Sequence, residues 1–125
     1  VYRYRLGADG ALSEKSLWKR FDPADGAPDG MCFDAEGALW IAFWGGGCVR
    51  RFSVDGELLA QIDLPARQIS SVAFGGEDFA TLLVTSAFEG LDAKARERDP
   101  LAGSTFALRP GVRGLPALEY GTRAD

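Results

Sequence analysis

The sequence predicts an all-β chain of short antiparallel strands. Three observations carry this. Apolar residues alternate or run in short blocks, Gly is abundant at 16 of 125 residues and falls mostly between those blocks, and helix-favouring runs are scarce. The length suits one domain with a sizeable core. VYRYRL (1–6) reads as a strand and GADG (7–10) as a turn, and a polar–apolar segment through SLWKRF (16–21) makes the next strand. DPADGAPDG (22–30) holds two Pro and two Asp-Gly pairs and reads as a long irregular connection. GMCFDA (30–35) and ALWIAFW (38–44) flank a turn at Glu36-Gly37. GGG (45–47) turns into CVRRFS (48–53), and VDGE (54–57) turns into LLAQIDLP (58–65). ISSVAFGG (69–76) and TLLVTSA (81–87) form a further pair, and STFALRP (104–110) is the last clear strand. LDAKARERDPLAG (91–103) differs: it is charged, contains helix formers and meets a stop at Asp99-Pro100, so it reads as a short solvated helical turn.

The pattern repeats weakly. VYRYRLGADGAL resembles CVRRFSVDGEL, and GMCFDAEGALWIAF resembles SSVAFGGEDFATLLVT. The offset, roughly 40–50 residues, is that of a four-stranded antiparallel propeller blade. Residues 29–64 then make one complete blade, 1–21 the two outer strands of the blade before it, and 69–109 the three inner strands of the blade after it. This is a partial β-propeller of about two to three blades. Such an arc leaves sheet faces and an edge uncovered, so the chain is expected to join further blades or, failing that, copies of itself. It opens on Val rather than Met, which hints at a polypeptide that begins upstream.

Net charge is −4, without basic runs, which argues against nucleic acid or an anionic membrane surface as partner. No apolar stretch approaches the length of a membrane span, and VYRYRLG does not read as a signal peptide. Cys32 and Cys48 fall in different strands of one sheet and read as free thiols, which suits a reducing, cytoplasmic location. His is absent, which removes the commonest general base and zinc ligand.

Asp29 is the residue of most interest. Pro-Asp-Gly is a common turn tripeptide, so a turn-making role is the plain reading of Asp29 from local chemistry. Asp34 and Glu36 read as solvated formers of the following turn. Ser70 and Ser71 open an inner strand and are candidate substrate contacts, against the plainer reading as strand-start polar residues. No Gly-x-Ser-x-Gly elbow accompanies them, so a serine hydrolase is not supported. Trp18, Trp40 and Trp44 read as packing between blades. The GGG at 45–47 lacks the Lys-Ser/Thr and helix of a phosphate loop and reads as a blade turn. Cys32 reads as a core thiol of an inner strand.

Taken in order, APDGMCFDAEGALWIAFWGGGCVRRFSVDGELL, LPARQISSVAFGG, TLLVTSA, EGLD and PLAGSTFALRPGVRGLP resemble the C-terminal portion of the SMP-30/gluconolactonase family, which includes regucalcin. The resemblance runs from about Val1 to Pro116. It implies a six-bladed ring of which residues 1–117 are the C-terminal part, and LEYGTRAD (118–125), polar and unpatterned, reads as a flexible tail. It also implies a lactonase acting on sugar-acid lactones and one divalent cation at the top of the channel, whether Ca, Zn, Mn or Mg. In the family the cation is held by a Glu near the start, an Asn from a middle blade and the Asp of the PDG element. Only the last has a counterpart, Asp29, which the resemblance makes both metal ligand and catalytic base. The other ligands are expected in a missing N-terminal half. A non-catalytic, cation-binding propeller of the same fold is the alternative reading.

Overall fold

The computed structural model describes residues 1–117, and the expected tail at 118–125 lies outside the described residues. Nine strands and one helix follow in the order β1 (Tyr2–Leu6), β2 (Leu12–Leu17), β3 (Ala27–Phe33), β4 (Leu39–Trp44), β5 (Cys48–Phe52), β6 (Leu58–Asp63), β7 (Ile69–Gly75), β8 (Thr81–Ser86), α1 (Ala93–Arg98) and β9 (Thr105–Leu108). They pair antiparallel in sheets of two, four and three strands, β1-β2, β3-β4-β5-β6 and β7-β8-β9. The middle sheet is one full blade, and the partial sheets flank it in the sequence, as the repeat predicts. The helix is a single short element capped by Asp92, whose side chain accepts from the Ala95 amide.

The core lies on both faces of the middle sheet, and β4 is its centre. Alternation sends Trp40 and Ala42 to one face, where they meet Val49, Ile69, Val72, Leu82 and Val84 of this and the following sheet. Leu39, Ile41 and Phe43 go to the other, where Cys48 and Phe52 join Val1, Trp18 and Phe21 from the N-terminal segment. A strand covered on both sides reads as an unbroken apolar run, which is why LWIAFW shows no polar alternation. Edge-on aromatic pairs fix the geometry: Phe21–Phe43 at 5.1 Å on one face and Trp40–Phe74 at 6.0 Å on the other. Trp18 packs edge-on against Phe52 and donates from Nε1 to the Val54 carbonyl at 2.7 Å. Trp44 departs from expectation, belonging to neither buried cluster and pairing its backbone with Gln68.

Two sequence-based boundaries shift. The 22–30 segment is more ordered than its breakers suggest: Asp22 caps a single 3-10 turn at Pro23–Asp25, and β3 begins at Ala27. The second strand is Leu12–Leu17, ending before Trp18.

The ladders define two ends of the molecule. Ala27 opposes Trp44 and Cys48 opposes Asp63, so the start of β3, the 45–47 turn and the connection into β7 share one end. The β3–β4 and β7–β8 turns lie at the other.

Candidate functional site

Asp29 lies inside β3, not in a turn. Pro28 opposes Phe43 and Met31 opposes Ile41, so Asp29 and Gly30 together face the single residue Ala42. This is a β-bulge, which inserts one residue and re-aims the side chains beside it. The expected turn role of Asp29 is therefore corrected. The physical reason is that β3 ends its sheet, and an edge strand can carry Pro28, which has no N–H to give to a ladder. Gly30 is not in a left-handed conformation either. It is needed for close approach: a Cβ there would overlap the Ser71 hydroxyl and stand 2.6 Å from Ser71 Cα.

Ser70 and Ser71 sit on a matching irregularity. Ile69 opposes Ser86 while Ser71 opposes Thr85, which leaves Ser70 as the extra residue of β7. The Ser70 and Thr85 hydroxyls lie 2.9 Å apart. The strands that begin the two larger sheets, β3 and β7, thus each carry a bulge near the start, and the two meet through Gly30 and Ser71. The close approach of Gly30 to Ser71 sets the backbone next to Asp29 against the strand that carries Ser70 and Ser71. The Asp29 side chain is exposed and makes no hydrogen bond or ion pair among the described residues.

The fit to a divalent cation can be tested against the donors present. A hard cation takes six or more oxygens, several from carboxylates. Among the described residues no group of three or more His, Cys, Asp or Glu could hold a metal. Asp29 is a free, correctly typed donor, but it does not make a complete site.

Asp34 is the residue that sequence reasoning missed. Expected as a solvated turn former, it is 0% exposed. Its Oδ1 accepts from the Glu36 and Ala38 amides, each at 3.0 Å, and its Oδ2 accepts from Trp40 Nε1 at 2.9 Å and Arg51 Nε at 2.7 Å. Burial works against the charged form, but the bonds from Arg51, Trp40 and Ala38 outweigh it and hold Asp34 below the usual carboxylate range. Glu36 stays exposed, as expected, and pairs with the other arm of Arg51 at 2.6 Å. This cluster is saturated with partners and lies at the end away from Asp29, so it is structural. Only an Arg or Trp at the right spacing could have signalled it in advance.

Cys32 and Cys48 are free, as predicted. Burial pushes the Cys32 thiol up to about 11 and the Cys48 thiol up as well, so neither is poised as a nucleophile. A crevice of about 950 Å³ is lined by the 44–47 turn, the 64–68 connection and α1, and does not include Asp29. Its Arg50 is already occupied by Asp25 at 2.9 Å and Gln61 at 2.8 Å.

A four-stranded antiparallel blade flanked by partial sheets, with bulged strands meeting beside a free carboxylate, defines part of a β-propeller with a candidate site where its strands converge. The chain matches the family model described as the SMP-30/gluconolactonase/LRE-like region over residues 1–88, and it belongs to that family. It is 42% identical over 113 residues to regucalcin from Danio rerio, covering 89% of this chain and 38% of that protein. It is 44% identical to a 6-deoxy-6-sulfogluconolactonase from Pseudomonas putida, covering 91% of this chain and 40% of the relative. It is 38% identical to the pentonolactonase XacC from Haloferax volcanii, covering 98% and 44%. Among solved structures, a calcium-binding regucalcin from Agrobacterium tumefaciens superposes with a TM-score of 0.82 at 38% identity, covering 91% of this chain and 39% of that one. The chain therefore spans about two fifths of the length of the relatives it matches. No helix of the described residues is long and apolar enough to cross a membrane.

Proposed function

We propose that residues 1–117 form the C-terminal part of a divalent-metal-dependent lactonase that opens sugar-acid lactones, with further blades completing the ring. The observation that carries this reading is Asp29. It is a carboxylate without a partner among the described residues, re-aimed by a bulge at the point where two sheets converge, in a family whose named relatives include two lactonases. Ser70 and Ser71, on the strand that Gly30 packs against, are the proposed substrate contacts. Asp29 would hold the cation, with the other ligands supplied by the remaining blades. When bound, a divalent cation supplies Lewis-acid polarisation of the lactone carbonyl. Asp29 also stands as the proton acceptor for attacking water: the water oxygen joins the carbonyl carbon, the ring C–O bond breaks, and the proton passes to the released alkoxide. Coordination lowers the basicity of a carboxylate, so the two roles compete and the pH profile of turnover reports the balance.

The test is Asp29→Ala in a polypeptide that carries the missing blades. The variant is expected to lose lactone hydrolysis and weaken metal affinity with its β spectrum intact, and normal turnover would overturn the assignment. Residues 1–125 alone are expected to show no lactonase activity with Ca²⁺, Mn²⁺ or Zn²⁺. The second reading, a non-catalytic cation-binding propeller, is favoured by the calcium-binding regucalcin among the structural relatives. It predicts a complete polypeptide that binds Ca²⁺ through Asp29 and turns over no lactone.

A further inference from the structure

The end of the molecule away from Asp29 carries a contact that the candidate site does not use. After β9 the chain returns across both larger sheets at Val112–Gly114. The Ala35 amide, in the β3–β4 turn, donates to the Arg113 carbonyl at 2.8 Å. The Gly114 amide donates to the Phe79 carbonyl, in the β7–β8 turn, also at 2.8 Å. Adjacent residues thus bind turns of two different sheets, and Asp34 and Gly114 form a β-bridge. Gly114 is buried, and a Cβ there would overlap the Phe74 side chain. Its φ is not positive, so glycine is required by the close approach alone. Phe74 in turn stands edge-on to Trp40, and Val112 packs against the cluster between the sheets. The carbonyl that receives Gly114 belongs to Phe79, whose φ of 52° is an outlier for a bulky residue and needs support from its surroundings.

We propose that residues 112–114 are a clasp that controls opening between the β3–β6 and β7–β9 sheets. The inference stands apart from the lactonase reading, since it uses no residue of the Asp29 site. Its physical content is that the clasp bonds join the two sheets at this end in addition to the packing of their side chains. Releasing them raises the population of a locally opened state without unfolding either sheet.

Cys32 is a built-in reporter. Its side chain packs against the cluster between these two sheets, whereas Cys48 belongs to the cluster on the opposite face and serves as internal control. The experiment is alkylation of the full 125-residue chain with iodoacetamide, followed over time by peptide mapping of each cysteine. Ala35→Pro is the decisive variant. Gly37 donates to the Asp34 carbonyl at 3.0 Å, so Ala35 occupies the second position of a β-turn, where Pro is favoured. The substitution removes the N–H that reaches Arg113 and leaves the turn in place. The loss of one backbone bond predicts faster labelling of Cys32, up to roughly tenfold, with Cys48 unchanged and the β spectrum retained. Gly114→Ala, which drives a Cβ into Phe74, should give the same pattern. If Gly114→Ala fails to fold, Ala35→Pro decides alone. Unchanged Cys32 labelling in folded Ala35→Pro overturns the clasp. So does equal acceleration of both thiols, which would report general loosening.

Discussion

The β1–β2 hairpin and the middle sheet are built from the same kind of sequence and meet different fates. Tyr2, Tyr4, Leu6 and Leu12 of the hairpin are 54%, 46%, 69% and 67% exposed, while Ile41, Ala42 and Phe43 of β4 are all at 0%. Strand propensity is comparable in the two regions, since both carry aromatic or branched residues at strand spacing. The difference is the neighbour. The middle sheet is covered by the β7–β9 sheet on one face and by Val1, Trp18 and Phe21 on the other. The hairpin sends only the residues just outside its strands into a core, and Lys15 lying over the Tyr2 ring at 4.4 Å is the main cover its own aromatic face receives. Burial, and hence stability, is conferred by the adjoining sheet.

That contrast can be broken most forcefully at Phe43. Phe43→Ala removes a fully buried ring that contacts Phe21 and the Arg50 guanidinium, and should lower unfolding free energy by about 3–5 kcal/mol in urea titration. A loss below roughly 1 kcal/mol would mean that this face is not packed in solution.

The next effect is electrostatic. Asp34→Asn leaves an amide nitrogen facing two donors, Trp40 Nε1 and Arg51 Nε, and should cost about 3 kcal/mol at neutral pH. Because the folded-state pKa of Asp34 is depressed, its ionisation adds stability above the unfolded value of about 3.9, and that stability is lost as pH falls through the folded value. The gap between native chain and variant should therefore narrow in strongly acidic solution. A gap that stays constant down to acid would show that the charge is not what matters there.

The smallest effect sharpens the comparison from the other side. Tyr4→Ala in the hairpin should change stability by less than about 0.5 kcal/mol, since the side chain is largely in water already. If further blades are supplied and cover β1, the same substitution should become several-fold more damaging. Equal small losses in both settings would mean that the added blades do not pack on this hairpin.

Much of the architecture was legible in the residues. The blade period, the hairpin turns, the strands from ALWIAFW onward and the stop at Asp99-Pro100 are local properties, set by turn chemistry and alternation between neighbours in the chain. The two free thiols followed from cysteine placement in the same sheet. The PDG element was legible as special but not as a bulge, because Pro-Asp-Gly satisfies turn and bulge alike, and only the pairing partner of β3 decides between them.

Asp29 and Asp34 mark the limit. In the sequence each is an Asp among turn formers, and along the chain only Trp40, six residues after Asp34, could tell them apart. The sequence by itself determined which segments are strands and where most of them turn, because that depends on steric preferences of adjacent residues. Tertiary structure alone decided which carboxylate is sealed and which is free. A buried charge requires donors converging from several strands: Arg51, 17 residues away from Asp34, supplies one to it, and among the described residues none reaches Asp29.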